Sequence, residues 1–155
     1  MNEAQIEAYW QTFLSTLPDD SPLRQATYTA EPFGDSPELA DELAALVGAG
    51  IKTATCSALW DWESEGQPPT QVGQISIVLD GENQPVGIIE TTEVTIRPYN
   101  KVDAQFAYDE GEGDRSLNYW REAHWHFFSR ILPKIGKEPT QDMPLVCERF
   151  HLIFP

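Results

Sequence analysis

"DEGEGDRSLNYWREAHWHFF", residues 109–128, changes character part-way along. Its first six residues carry four acids, Asp109, Glu110, Glu112 and Asp114, separated by two glycines. Like charges this close repel, so they need positive company: a lysine, a divalent metal, or a proton held by a general base. The glycines let the backbone approach a ligand closely. The plain alternative is a solvated loop whose acids favour the N-terminus of the next helix. The EF-hand pattern and its closing Glu are absent. From Leu117 onward, Leu117, Trp120, His124, Phe127, Phe128 and Ile131 recur on one face at helical spacing. Asp114 or Ser116 can cap that helix. His124 lies on the apolar stripe and His126 off it, so one helix cannot offer both to one metal. His124 reads as a hydrogen-bonded core residue, and a paired-histidine ribonuclease mechanism would need His124 or His126 to meet His151 in space.

Upstream, residues 2–17 place Ile6, Tyr9, Trp10, Phe13, Leu14 and Leu17 on one helical stripe, which Pro18 ends. A link, residues 21–36, has no clear structure. Ser36 before Pro37 starts a second helix, and Gly48 and Gly50 stop it. From Gly73 the chain becomes strand-like, with Asp80-Gly81 as a hairpin turn. PVGIIETTEVTIRPY and the closing PLVCERFHLIF read as strands. Strands with helices at fixed points indicate an α+β fold.

Lys52 stands in GIKTAT, just past the two glycines. A lysine becomes a base or an oxyanion partner where a partly dry site lowers its pKa or aims its charge. Thr55 comes within its reach if the segment coils through a turn, and a threonine hydroxyl needs a base before it attacks anything. A lysine after a helix C-cap also simply favours the helix dipole. The spacing is no Walker motif. Trp60, in ALWDWESEG, is placed either to stack on a base or to pack in the core. Tyr99 ends a strand where it could line a pocket rim. Arg121 either contacts phosphate or offsets the acids beside it.

The bulk numbers bound the rest. A chain of 155 residues, 41% hydrophobic and 11% aromatic, has material for one globular domain. The formal charge of −15, from 25 acids against 10 Lys and Arg, argues against a broad nucleic-acid-binding face. It leaves room for a small cationic cleft, and no DNA partner is expected. No apolar run approaches ~18 residues, so no membrane span is expected. The N-terminus lacks a secretory pattern, which makes a cytoplasmic location the default and Cys56 and Cys147 reduced thiols.

Taken in order, these segments resemble a known family. A helix, G-I-K-T-A-T, W-x-x-E, a strand ending I-R-P-Y with K-V-D, E-G-E-G-D-R-S-L-x-x-W-R-x-x-H-x-x-F-F and a final L-V-C-E-R-F look like the ASCH (activating-signal-cointegrator homology) family, in its longer bacterial form. The resemblance runs from about Glu38 to Phe154. It implies one ASCH domain over residues 1–155, with an N-terminal helical extension at about 1–35. The implied fold is a PUA-like β-barrel, a strongly bent mixed sheet with flanking helices.

The resemblance also implies an RNA-related role. Short members resemble amidohydrolases that remove an acyl group from modified cytidine with a lysine, a threonine and a glutamate. Longer members are associated with cleavage of single-stranded RNA. Carried onto this chain, the catalytic residues are Lys52, Thr55 and Glu112, with Glu110 the rival carboxylate. Trp60, Tyr99, Glu110, Arg121 and His124 are the expected substrate contacts. The expected partner is RNA or a nucleoside, bound in a cleft near Lys52. RNA cleavage comes first, nucleoside deacylation second, and a non-catalytic RNA-binding or adaptor module third. No cofactor is expected. A divalent metal at the 109–114 loop is one way to hold its acids together.

Overall fold

The computed structural model describes residues 2–155. The chain forms two compact units: residues 2–50, 73–90 and 151–155 make the first, and residues 51–72 and 91–150 the second. Five strands, hydrogen-bonded in the order β1-β3-β4-β5-β2, form one mixed sheet: β1 Tyr28–Pro32, β2 Ala54–Ala58, β3 Ile75–Leu79, β4 Pro85–Pro98 and β5 Pro144–Phe154. Among the described residues the chain also forms five α-helices, and the α+β class is as expected.

In the first unit, helix α1 (Glu3–Ser15) buries Ile6, Trp10, Phe13 and Leu14. These pack with Ile75, Ile77 and Leu79 of β3 and Ile88 of β4. Each such buried side chain contributes roughly 1.5–3 kcal/mol. The N-terminal helix is therefore a wall of this unit's core. Helix α2 (Pro37–Gly48) starts as its sequence indicates: Ser36 Oγ accepts from Leu39 N at 3.2 Å, and Pro37 takes the first position. The hairpin at Asp80 also forms, with Asp80 Oδ1 accepting from Glu82 N and Gln84 N.

The 21–36 link holds two elements that its sequence did not reveal. One is a short 3-10 helix, Pro22–Gln25; the other is β1, paired in parallel with β3. A five-residue strand ending in proline tolerates only an edge, and β1 is an edge strand.

In the second unit, helices α3 (Leu59–Ser64), α4 (Ala104–Glu110) and α5 (Leu117–Ile131) accompany β2 and parts of β4 and β5. Phe106, Trp120, Phe128, Leu132, Met143 and Leu145 form the centre of its core. Ser116, rather than Asp114, caps α5 by accepting from Tyr119 N at 3.0 Å. Helix α4 is bounded by Asp103, whose Oδ1 accepts from Phe106 N, and by Gly111 in the left-handed conformation at φ 79°. Two turns at most leave no room for a hydrophobic period, which is why α4 gives so faint a signal. GIKTAT also differs from the coiled turn considered above. From Ala54 it is strand, antiparallel to β5, with Thr55 opposite Glu148 and Cys56 opposite Cys147. Both cysteines are free thiols.

Candidate functional site

Two backbone bonds fix the approach to β2. Thr53 N donates to Asp109 O at 2.8 Å, and Phe150 N donates to Thr53 O at 3.0 Å. They tie this residue to the end of α4 and to β5. Beyond it, alternation sends Ala54, Cys56 and Ala58 into the core and Thr55 and Ser57 to the other face.

Lys52 is buried, only 1% exposed. Its Nζ donates to Ala54 O at 2.8 Å, Glu110 Oε1 at 2.9 Å and Glu112 Oε2 at 3.4 Å. The other oxygen of Glu110 accepts from the Trp120 indole at 2.6 Å and lies 3.3 Å from His124 Nε2. His124 Nδ1 sits 2.8 Å from Trp120 O, a carbonyl that can only accept. With one ring nitrogen facing a carbonyl and the other a carboxylate, the ring satisfies both as an imidazolium. Two cations, Lys52 and His124, then face two carboxylates, Glu110 and Glu112. This is the positive company that the acidic loop requires. The remaining acids have partners of their own: Asp109 meets Arg149 at 2.6 Å, and Asp114 accepts from Ser116 N at 2.9 Å.

The proton affinities follow from this packing. Burial pulls the Lys52 pKa down, but Glu110 and Glu112 outweigh it, and the net shift is upward. His124 behaves alike: burial lowers it, Glu110 raises it more, and the result is raised. Burial pushes Glu110 up, yet Lys52, His124 and Trp120 hold it well below the usual carboxylate range. Glu112 goes the other way, raised by burial and by its neighbour Glu110 against the pull of Lys52. Its side chain is 17% exposed, against 2% for Glu110. Glu110 is thus the inner carboxylate and Glu112 the outer one.

The expected residues fall into groups. Lys52, Glu110, Glu112 and His124 converge. Thr55 lies on the opposite face of β2 from Cys56, directly across from Glu148. Tyr99 does not line a rim: it is 4% exposed, stacks on Trp120 and donates its hydroxyl to Arg121 O at 2.6 Å. Its aromatic bulk follows a strand and fills core, which the sequence left open. Trp60 is half-buried against the core, with the Lys137 ammonium 5.6 Å from its ring centroid. The Arg121 side chain is exposed on α5.

One carboxylate escaped the sequence reading. Glu148 sits between Val146 and Phe150, both buried and on the same face of β5. Burial, reinforced by Glu110 and opposed by Thr70 and Lys52, pushes it up to about 7. An acid alternating with two core residues was the available signal.

Cys56, Glu110 and His124 bring donor atoms within 4.8 Å of one another. The chemistry of this set does not suit a metal. Glu110 is already bound by Lys52 and Trp120, and the thiol of Cys56 is raised well above its ordinary value by burial, so it is no ready thiolate.

A family model described as the ASCH domain matches residues 29–154. The chain belongs to the ASCH domain family. The crystal structure of an ASCH domain from Lactobacillus crispatus is similar at a TM-score of 0.93 and 34% identity, covering 98% of this chain and 96% of that one. Protein EF3133 from Enterococcus faecalis is similar at 0.86 and 38% identity, covering 97% and 89%. The hypothetical protein PH0355, at 0.51 and 14% identity over 73% and 93%, shares the fold alone. No match was found among curated proteins. These findings make the fold PUA-like, a curled mixed sheet with flanking helices. The ASCH family is in general RNA-interacting. Among the described residues, no helix is long and apolar enough to cross a membrane.

Proposed function

We propose that this ASCH chain is a hydrolase for a nucleoside-sized substrate, removing an acyl group from modified cytidine. The observation that supports it most is the burial of Lys52. Its ammonium is engaged by Ala54 O, Glu110 and Glu112, and the group nearest to solvent is the Glu112 carboxyl. A phosphate would meet that carboxyl before it met the lysine. Neighbouring cations are engaged as well: Arg149 with Asp109 and Glu93, and Arg97 with Asp103. Tracking an RNA backbone calls for a positively charged groove. A neutral amide suits the site better. This reverses the order expected from the sequence, where RNA cleavage came before deacylation.

One observation favours single-stranded RNA. Tyr108 and Tyr119, 50% and 39% exposed, border the acidic loop, and exposed aromatic rings can stack on bases. The two readings separate in one experiment. Purified protein is incubated with acylated cytidine and, separately, with a single-stranded RNA, and products are resolved by chromatography. Release of cytidine with intact RNA is the expected result. RNA fragments with untouched nucleoside would establish the second reading. Salt-sensitive RNA binding with neither product would indicate a binding module.

A further inference from the structure

A threonine hydroxyl attacks a carbonyl only if some group takes its proton. Lys52 is poorly suited to that task. It is held as an ammonium, donating to Ala54 O, Glu110 and Glu112. Glu110 and His124 gather near Cys56, on the face of β2 that Thr55 does not share. The neighbour across from Thr55 is Glu148. The two are direct partners in an antiparallel pair, so their side chains project from the same face. Their Cβ atoms then lie about 4.5–5.5 Å apart, within reach of a carboxylate on two methylenes.

We propose that Glu148 is the catalytic proton acceptor for Thr55. The proposal rests on the nucleoside-hydrolase reading above. The Thr55 oxygen bonds to the acyl carbon as its proton passes to the Glu148 carboxylate, and the carbonyl electron pair moves onto oxygen. Collapse breaks the carbon–nitrogen bond, and the amine leaves with the proton from Glu148. Water then attacks the Thr55 ester and gives a proton to Glu148. The acid departs, and Thr55 regains that proton. One amide and one water become one acid and one amine, and both side chains are restored.

The surroundings of Glu148 suit this role. A side-chain hydrogen bond from Thr70 favours its ionised form, against the larger effect of burial. Of the charged groups acting on it, Glu110 opposes its ionisation and Lys52 favours it. Burial raises its proton affinity to about 7, near the best value for proton transfer in neutral solution.

The test compares wild type, Glu148→Gln and Glu148→Asp on acylated cytidine from pH 5 to 9. Wild type is expected to lose kcat/KM on the acid side of a midpoint near 7. Glu148→Gln is expected to fall by roughly 10²–10⁴-fold and to lose that acid limb. Glu148→Asp keeps the limb at reduced rate, which a merely structural role would not produce. Glu148→Gln within about threefold of wild type, or with its acid limb intact, overturns the assignment while leaving the nucleoside reading in place. A wild type that releases no cytidine overturns both.

Discussion

Lys52 Nζ donates to Glu110 Oε1 at 2.9 Å with both side chains shut away from water. Removing one member of such a pair strands the other in a medium that does not solvate it, at about 3–5 kcal/mol. Lys52→Met should therefore lose about that much stability in urea denaturation. Lys52→Met with Glu110→Gln should lose less than the two single losses added together, because the remaining amide carries no charge. A single-variant loss below about 1 kcal/mol would contradict the buried-pair account. One consequence is that Lys52→Ala is a poor probe of activity, since the fold is not expected to survive it unharmed.

Stability should respond to pH through three groups of the same sign, Glu148, His124 and Glu112. A carboxyl whose folded pKa is raised stabilises while protonated. For Glu148 that contribution is whole below about 4.5 and lost as pH rises through about 7. His124, also raised, contributes fully below its ordinary 6.5 and loses that contribution as pH rises through its higher folded value. Wild type should lose stability across this window, and Glu148→Gln should lose less of it. Urea midpoints measured from pH 5 to 8 decide the matter; parallel curves for the two proteins would contradict the shift assigned to Glu148.

Gly113 has φ 58°, and a Cβ there would lie 2.4 Å from the Tyr119 ring. Gly66 has a similar φ of 66° with nothing within 4 Å. Gly66→Ala should lose about 1–2 kcal/mol from backbone strain alone. Gly113→Ala should lose more, because the loop that carries Glu112 must also move. Equal thermal shifts for the two variants would show that the Tyr119 contact is unimportant.

The sequence displayed the elements that bury periodic faces. The stripe from Ile6 to Leu14, the Ser36-Pro37 start and the Leu117–Phe128 face all formed, because each has length enough for a period to repeat. β1 and α4 are too short for that, and their signals are single residues such as Asp103 and Gly111. Lys52 and the acidic loop could be paired by charge alone. Which carboxylate turns inward could not, since Glu110 and Glu112 differ only in how Gly111 directs the chain. Thr55 depended on whether GIKTAT coils or extends. That choice is made by pairing with β5, far away in sequence, and it places Thr55 beside Glu148.

The most direct measurement is the release of cytidine from acylated cytidine by wild type and by Thr55→Ala, which removes the attacking hydroxyl. Wild type should turn the substrate over, and Thr55→Ala should not. A wild type that releases no cytidine, or a Thr55→Ala variant as active as wild type, would contradict the account.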